Sequence, residues 1–410
     1  MKLIFVSPFY NNIWGQLGIA YLSSYIKKNY KGKVEIEFYH GNFDSDETII
    51  QNAIKADIVA FSCTACTFQS GTVLARKIKK LNPNVFITMG GWWVTTSKIN
   101  PDPEVISSII IGEGETAILE LLNGNISPII YGELLDFSEI PWPDRELINK
   151  KRQLDYCEKT FGSRTISFIS KRACGHACKI CGEQSMSQNK LRFRDSKDVL
   201  DEIDYTMKKY NGTFFKMADS TWVESNKAIS IEFLEEKIRR NNTYPWQCMA
   251  HSVFLDEEIL KLLKRANCQE IAIGCESGSQ IILNEIKKGT TPNRIRKVFE
   301  LGKKIGISLR GFYIIGNPLE TRETIEQTKQ LIKDTNPDVF GITLLCPYPG
   351  TKYYKEEFKD WDWSKAGEYD NPYWSTPNFT NQELKNIIKE FNTEFKDKLV
   401  SHQKGNVCLK

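Results

Sequence analysis

The sequence has no long hydrophobic run and no strong excess of one charge. No stretch approaches the roughly 18 uncharged apolar residues of a membrane span. Lysine and arginine total 55 against 51 aspartates and glutamates, a net charge of +4, so no nucleic-acid partner is indicated. The N-terminal apolar run ends at Ser7-Pro8, which is typical of a strand rather than of a signal peptide. We therefore expect a cytoplasmic protein that binds neither membrane nor nucleic acid.

Low-complexity segments and sequence repeats are also missing, and the length of 410 residues suits two or three domains. The chain contains eleven cysteines. Because thiols stay reduced in the cytoplasm, these cysteines predict a metal or redox site rather than a disulfide framework.

Residues 1–125 alternate apolar runs with amphipathic stretches. The alternation predicts an α/β domain with a doubly wound, Rossmann-like parallel sheet. Ligands of such sheets bind beyond the carboxyl ends of the strands. The five predicted strands are Lys2–Ser7, Val34–Tyr39, Asp57–Cys63, Val85–Gly91 and Ser108–Gly112. The candidate cofactor-binding residues at their ends are Ser7, Pro8, Tyr10, Ser62, Cys63, Gly90, Gly91, Trp92, Gly112 and Glu113.

Glycines and prolines punctuate residues 126–160, which predict a linker. The alternation resumes over residues 161–357. Six strand-helix units predict a partial (β/α)6 barrel with its site at the carboxyl ends of the strands. Residues 358–410 predict a small C-terminal segment, rich in aromatic residues, whose helix would cap the barrel or simply pack on it. The six barrel strands are predicted at Thr165–Ser170, Phe214–Asp219, Trp246–His251, Glu270–Glu276, Leu309–Ile315 and Val339–Cys346.

Three cysteines, Cys174, Cys178 and Cys181, follow the first barrel strand with the spacing C-x3-C-x2-C. Four thiolates complete a 4Fe–4S cluster, so three predict a cluster with one open iron. An open position is what a catalytic metal site needs. The alternatives are a zinc knuckle that takes His176 as its fourth ligand, and cysteines without a metal. Zinc ligands come as two separated pairs and no second pair lies nearby, which favours the cluster.

This motif at the end of the first strand of a six-unit barrel resembles the radical S-adenosylmethionine (radical SAM) superfamily. Residues 270–279, 311–321 and 347–351 resemble the segments at the fourth, fifth and sixth strands of that family. The resemblance implies that S-adenosylmethionine chelates the open iron. It also implies cleavage to a 5′-deoxyadenosyl radical with an electron from an external reductant such as flavodoxin or ferredoxin. The sequence departs from the family at Ile180, where an aromatic residue is frequent, and at Gly175-His176, where Pro-Tyr is frequent.

The resemblance also implies roles for residues around the barrel rim. For each arginine, a plain surface ion pair is the alternative to binding the methionine carboxylate. The implied contacts are Glu276 and Ser277 with the ribose or methionine part, Asp219 and Ser220 with the amino group, Ile180, Gly316, Cys346 and Pro347 with the adenine, and Arg194 and Arg310 with the carboxylate.

Because it precedes such a barrel, the first domain resembles the cobalamin-binding domain of cobalamin-dependent radical SAM enzymes. The matching pieces are residues 17–22, 57–62, 90–91 and 111–115. Many cobalamin proteins carry D-x-H-x-x-G after the first strand, whereas residues 7–15 contain no histidine. The resemblance therefore implies a cobalt without an imidazole on its lower face, or a domain that kept the fold and lost the cofactor.

The expected function is methylation of an unactivated carbon of a small-molecule or peptide substrate, with cobalamin as the methyl donor. A non-methylating cyclisation, rearrangement or carbon–sulfur bond formation on the same architecture is the alternative. A third hypothesis is a cluster protein for electron transfer or sensing. Trp92 and Trp222 would suit a flat or apolar group, or lie in the core. Cys63 and Cys66 would form a redox pair or simply line the rim.

Overall fold

The computed structural model describes residues 1–10, 16–188 and 190–399 and divides into two compact units. The first unit comprises Met1–Gln153, Gln184–Gln188 and Tyr348–Gly367. The second comprises Leu154–Glu183 and the described parts of Asn189–Pro347 and Glu368–Lys410. Across these ranges, no helix combines the length and apolarity that a bilayer crossing requires.

The first unit is built on one six-stranded parallel sheet of order β2-β1-β3-β4-β5-β6. Successive residues of β1, from Leu3 to Val6, are all buried, because helices cover both faces of the sheet. One face packs Leu3 and Phe5 with Ile118 of the last helix in a continuous core. The strands are β1 (Lys2–Ser7), β2 (Glu35–His40), β3 (Ile58–Ser62), β4 (Phe86–Gly90), β5 (Ser108–Ile111) and β6 (Ile129–Tyr131). The helices are α1 (Leu17–Asn29), α2 (Asp46–Ala53), α3 (Phe68–Leu81), α4 (Trp92–Ser97) and α5 (Gly114–Leu122). The doubly wound, Rossmann-like sheet is thus confirmed.

Part of the predicted linker, residues 126–160, has regular structure. Its short strand β6 pairs with β5 in parallel, so the sheet has six strands instead of the five predicted. A helix, α6 (Lys150–Phe161), begins near its end. Three residues are too few to show a strand pattern, and the prolines around them favoured a loop.

The second unit contains six parallel strands in the order β14-β13-β12-β11-β10-β7, with β7 and β14 at its two edges. This is the predicted partial barrel. A separate antiparallel pair, β8 with β9, flanks the cysteine segment. The strands are β7 (Thr165–Phe168), β8 (Lys171–Arg172), β9 (Arg192–Phe193), β10 (Phe214–Met217), β11 (Trp246–Ala250), β12 (Cys268–Glu276), β13 (Ser308–Ile315) and β14 (Val339–Leu344). The remaining helices are α7 (Glu183–Ser187), α8 (Ser196–Lys209), α9 (Lys227–Arg239), α10 (Glu257–Arg265), α11 (Gln280–Glu285), α12 (Pro292–Ile305), α13 (Arg322–Thr335) and α14 (Asn381–Glu394).

The predicted C-terminal helix exists as α14 and is shorter than the pattern indicated. Thr380 and Glu383 form a reciprocal capping box at its start. Leu384, Ile387 and Phe391 are buried on one face, and the helix packs beside β14. It ends at Glu394, so the amphipathic pattern overestimated its length by five residues.

Candidate functional site

The three cysteines lie on one loop that leaves the β8 strand. Ala173 begins the loop with a φ of 78°, a left-handed conformation that turns the chain before Cys174. A backbone hydrogen bond from Cys181 to the carbonyl of Cys178 (3.1 Å) closes the second half of the loop. Cys174 and Cys178 are half-buried, and Cys181 is exposed. The loop therefore presents three thiols near one end of the barrel.

The surroundings hold these thiols in the protonated form. Burial raises the pKa of Cys174 and that of Cys178 above the ordinary thiol value. Although Cys181 is exposed by area, the protein atoms around its sulfur raise its pKa to about 11. Binding iron must displace these protons, as at any thiolate site.

The donor set fits an iron–sulfur cluster better than one metal ion. Within the described ranges, no three His, Cys, Asp or Glu side chains converge on a position for a single ion. A 4Fe–4S cluster instead uses one iron for each cysteine, so its three ligands need not converge. Soft thiolates from one loop are the donors that such clusters take.

His176 anchors the middle of the cysteine loop to β11. Its ring stacks on that of His251, with centroids 4.0 Å apart and planes 14° from parallel. His251 follows β11, and its Nε2 lies 2.8 Å from the carbonyl oxygen of Lys288. Burial lowers the pKa of His251 to about 3, so this ring is neutral at physiological pH.

Asp219, at the end of β10, holds the start of the cysteine segment. Its carboxylate accepts hydrogen bonds from the backbone N–H groups of Ser170 (2.9 Å) and Lys171 (2.8 Å), and from the Ser170 hydroxyl (3.1 Å). Complete burial raises its pKa to about 6 even though these donors favour the ionised form. The neighbouring Ser220 is exposed and donates to Glu183 (2.7 Å).

A fully buried ion pair lies under the cysteine loop. Lys171 of β8 pairs with Glu224, and their side chains are 1% and 2% exposed. The backbone N–H of Gly175, between the first two cysteines, points at the same Glu224 oxygen at 3.5 Å. An added Cβ on Gly175 would lie 3.0 Å from Glu224, so a glycine lets the loop approach this carboxylate.

Glu276 ends β12 in a strained conformation, with a φ of 59° where the pairing with β13 shifts register. Its carboxylate forms a buried ion pair with Lys288 (2.7 Å). The next residue, Ser277, is fully buried, and its hydroxyl lies 3.1 Å from that of Thr328. That these two residues contact S-adenosylmethionine stays a prediction.

The arginine predictions correspond to ion pairs in the structure. Arg310 is the third residue of β13 and pairs with Glu270 (2.8 Å), well before the carboxyl end of the strand. Arg194 pairs with Glu202 and Asp198, both at 2.6 Å. Both arginines are in ion pairs, as the alternative predicted, but the pairs are not at the surface, because each arginine is only 6% exposed. That either guanidinium binds the methionine carboxylate stays a prediction.

The rim after β13 is fixed by contacts that the sequence did not indicate. Gly316 has a φ of 98°, and its carbonyl accepts a hydrogen bond from the indole of Trp374 (2.8 Å). The buried carboxylate of Glu320 accepts from the N–H groups of Gly316 (2.5 Å) and Asn317 (3.1 Å). Beside them, Asn371 donates to the sulfur of Cys346 (3.5 Å), which precedes the buried Pro347.

The carboxyl edge of the first sheet has small, tightly approaching residues. Gly91 has a φ of 95°, and a Cβ there would lie 2.7 Å from the carbonyl oxygen of Cys63. Cys63 is buried, and neither it nor Cys66 is in a disulfide. Trp92 is 41% exposed, whereas Trp93 is buried. The other predicted residues of this edge are Ser7, Pro8 and Glu113, all buried, and Tyr10, Ser62, Gly90 and Gly112, all half-buried.

Histidines offer little to a ligand at this edge. His40 ends β2, where its Nδ1 accepts from the N–H of Asn42 (3.1 Å) and its ring packs against Phe38 and Phe43. In many cobalamin proteins the segment after the first strand carries the histidine that binds cobalt, and in this chain that segment has no histidine. Its residues 11–15 lie outside the described residues.

Sequence reasoning assigned no role to Lys171, Glu224, Lys288 or Glu320. It placed His251 at the carboxyl end of a barrel strand, where the site was expected, but did not indicate its contacts. Lys171 and Glu224 are 53 positions apart, so no local pattern marks their pair. Glu320 instead binds the N–H groups of residues three and four positions before it.

The sequence model of the Radical SAM superfamily matches residues 168–332. This stretch begins at the last residue of β7 and contains the cysteine loop and the four barrel strands β10 to β13. The chain has a radical SAM domain. As a radical SAM enzyme it requires a 4Fe–4S cluster and S-adenosylmethionine, which the three-thiol loop and the barrel rim suit.

Relatives match over most of the chain. An uncharacterized methyltransferase, PH0819, from Pyrococcus horikoshii is 25% identical over 409 residues, covering 91% of this chain and 86% of the relative. The anaerobic magnesium-protoporphyrin IX monomethyl ester cyclase of Rubrivivax gelatinosus is 26% identical, covering 87% of this chain and 70% of the relative. The structure of the radical S-adenosylmethionine methyltransferase TsrM from Kitasatospora setae, with cobalamin and a [4Fe-4S] cluster bound, has a TM-score of 0.71 at 17% identity. That match covers 86% of this chain and 73% of TsrM, and it establishes a shared fold.

Proposed function

We propose that this radical SAM enzyme is cobalamin-dependent and methylates an unactivated carbon of a small-molecule or peptide substrate. The observation that carries the proposal is the combination, in one chain, of a parallel Rossmann-like unit and a radical SAM barrel with a three-thiol loop. TsrM, described as a methyltransferase with cobalamin bound, has the same architecture.

In this proposal Cys174, Cys178 and Cys181 are the cluster ligands. A 4Fe–4S cluster held there would supply the electron that cleaves S-adenosylmethionine to a 5′-deoxyadenosyl radical, and an external donor such as flavodoxin or ferredoxin would reduce it. The protein keeps the loop in place through Asp219, which binds the backbone before it, and through His251, which stacks on its middle. Both contacts fix the backbone of the cysteine loop, and so fix the positions of the three cysteines that are proposed to bind the cluster.

The remaining rim residues are proposed to bind the cosubstrate. Glu276 offers a carboxylate oxygen to ribose hydroxyls, and the exposed Ser220 offers a hydroxyl to the amino group. Gly316, held after β13 by Trp374 and Glu320, and Ile180, half-buried on the cysteine loop, are proposed to lie against the adenine. Pro347, buried after β14, completes the proposed adenine side.

The edge of the first sheet is the proposed corrinoid site. A corrin is broad and flat, and ligands of doubly wound sheets bind at the carboxyl edge of the strands. Gly91, after β4, lets the backbone lie against that of Cys63, which brings the ends of β3 and β4 close together at this edge. Trp92 offers an exposed aromatic surface beside them. When bound, methylcobalamin supplies the methyl group that the proposed reaction transfers.

The test is anaerobic incubation of the reconstituted protein with S-adenosylmethionine, dithionite and cobalamin. We expect retained corrinoid, a 4Fe–4S absorption and EPR signature, and production of both 5′-deoxyadenosine and S-adenosylhomocysteine. The triple variant C174A/C178A/C181A should lose the cluster and both products, whereas C157A, which changes a cysteine of α6, should keep them. Protein purified from cobalamin-supplied cells without any corrinoid would refute cobalamin dependence.

A second candidate is a cyclisation without methyl transfer. The observation that favours it is the similarity to the magnesium-protoporphyrin cyclase, which matches 87% of this chain. This function predicts 5′-deoxyadenosine without S-adenosylhomocysteine, and a product without the mass of one added methylene group.

A further inference from the structure

Residues 368–380, which precede α14, are attached to the carboxyl end of the barrel strand β14. We call them the 368–380 strap. The carbonyl of Glu368 accepts a hydrogen bond from the backbone N–H of Leu344, the last residue of β14 (2.9 Å). Asn371 is completely buried, and its side-chain amide donates to the sulfur of Cys346 (3.5 Å). The strap is therefore bound to the end of β14 at two points.

The backbone of the strap is fixed around Trp374. The side-chain oxygen of Asn371 accepts hydrogen bonds from the N–H groups of Tyr373 (2.9 Å) and Trp374 (3.1 Å). Asn381, the first residue of α14, donates through its amide to the carbonyls of Asn371 (2.7 Å) and Trp374 (2.8 Å). Because these bonds fix the backbone on both sides of the buried Trp374 ring, the indole has a defined position.

Two side chains of the strap donate hydrogen bonds to the loop that follows β13. The indole of Trp374 donates to the carbonyl of Gly316 (2.8 Å), and the amide of Asn378 donates to the carbonyl of Glu320 (2.8 Å). The indole lies close to the loop, because a Cβ on Gly316 would be 3.1 Å from its nitrogen. Both carbonyls belong to buried loop residues outside any strand or helix, so the strap supplies partners that this backbone requires.

The position of Gly316 depends on a residue far along the chain. Its N–H is bound within the loop, by the carboxylate of Glu320 (2.5 Å). Its carbonyl is bound by Trp374, which is 58 positions away in the sequence. Detaching the strap therefore releases one of the two polar backbone groups of Gly316.

We propose that Trp374 is a positioning residue for S-adenosylmethionine, because it fixes the loop after β13 against which the adenine is proposed to lie. This inference rests on the proposed function, since it requires Gly316 to be part of the cosubstrate site. The strap also holds Cys346, which precedes Pro347, the other residue proposed on the adenine side. A binding site is only as precise as the contacts that support it, so the affinity for the cosubstrate depends on the strap.

The experiment measures the Kd of S-adenosylmethionine by equilibrium dialysis, with the reconstituted protein in its oxidised state, in the wild type and in W374F. Phenylalanine keeps an aromatic ring and removes the indole N–H. The loss of one hydrogen bond corresponds to about a fivefold change in an equilibrium constant, so we expect the Kd to rise about fivefold. With dithionite, the KM for S-adenosylmethionine should rise by a similar factor. The rate of 5′-deoxyadenosine production at saturating cosubstrate should stay within about twofold of the wild type.

The matched control is W246F. Trp246 is also a buried residue of the second unit, and its indole donates to the carbonyl of Ala266 (2.9 Å), which precedes β12 at the amino end of the barrel. Each phenylalanine variant loses one buried indole hydrogen bond, so urea unfolding should show a similar loss of stability in both. The Kd should change in W374F and stay at the wild-type value in W246F.

The outcomes separate the inference from the function on which it rests. Wild-type protein that carries the cluster and binds no S-adenosylmethionine refutes the proposed cosubstrate site. A wild-type Kd in W374F overturns the inference and leaves that site standing, and so do equal increases in W374F and W246F, which indicate general loosening. If W374F does not fold, N378A decides, since Asn378 is exposed and makes the other bond from the strap to this loop. A raised Kd in N378A supports the inference, and a wild-type Kd overturns it.

Discussion

Glu320 is a fully buried carboxyl group whose partners are two backbone N–H groups. Burial raises its pKa from 4.5 to about 7 even though both donors favour the ionised form. Below pH about 4.5 the group is protonated in the folded and unfolded states alike. As the pH rises through 7, the folded state must ionise a buried group that the unfolded chain has already ionised in water. The stability associated with this group is therefore lost as the pH rises.

The variant E320Q keeps an oxygen for the two N–H groups and cannot ionise. We expect the free energy of unfolding of E320Q, relative to wild type, to increase by ~3 kcal/mol between pH 5 and pH 8.5. Urea denaturation at the two pH values measures it. E326Q, which changes an exposed carboxylate on α13, should show no such change. Parallel pH dependences for E320Q and wild type would contradict the assignment.

At the level of elements, the two-residue strand β8 is stabilised by the buried ion pair between its Lys171 and Glu224. Removing one partner leaves an unpaired buried charge, so K171M alone and E224Q alone should each destabilise the protein by ~3–5 kcal/mol. The double variant K171M/E224Q should lose less than the sum of the two. Urea unfolding with parallel iron analysis measures both stability and cluster uptake.

The exposed pair Lys261–Glu257 on α10 provides the control for this cycle. Because it lies in solvent, K261M should change the free energy of unfolding by no more than about 1 kcal/mol. Additive effects in the K171M/E224Q cycle would show that the two buried side chains do not interact.

The sequence predicted the long elements well, because their patterns depend on burial that is continuous along the chain. The five long strands of the first sheet and the six of the barrel all exist near their predicted positions. Strand β6 and the β8–β9 pair were missed, since two or three residues carry no readable period. The prediction for α14 was too long because Phe395 still packs on Phe340 after the helix has ended at Glu394, so the amphipathic pattern continues beyond it.

The sequence indicated which residues lie at strand ends, but it did not indicate which side chains or backbone groups they contact. Asp219 and Glu276 do lie at strand ends, as predicted from the order of the elements. What they bind depends on residues far away in sequence: Asp219 is 49 positions from Ser170, and Arg310 is 40 from Glu270. Only the folded backbone brings such pairs together, so the ion pairs of Glu276 and Arg310 had no signature.

At the scale of the whole molecule, the chain does not divide where the sequence pattern suggested. Residues 348–367, after the last barrel strand, belong by their contacts to the first unit, although the predicted barrel extends to residue 357. Trp363 of this segment is completely buried, and its ring lies 5.6 Å from that of Trp93 in α4. Trp93 in turn stacks on Phe68 of α3 at 3.7 Å. The first unit is thus completed by a segment from the far end of the chain.

We expect W363A to destabilise the first unit selectively. Truncating a buried tryptophan costs about 3–5 kcal/mol, through lost burial and the cavity left behind. Trp363 also loses the hydrogen bond from its indole to the carbonyl of Phe358 (3.0 Å). Hydrogen exchange followed by mass spectrometry should therefore show faster exchange in α3 and α4, with little change in β12 and β13.

The matched control is W246A, which removes an equally buried tryptophan from β11 of the second unit. Trp246 stacks on Phe215 at 5.5 Å and donates its indole hydrogen to the carbonyl of Ala266 (2.9 Å). This variant should accelerate exchange in β10 and β11 and leave α3 and α4 at wild-type rates. If W363A and W246A instead accelerate exchange equally in both units, the two units unfold as one, and the segment 348–367 has no special role in the first.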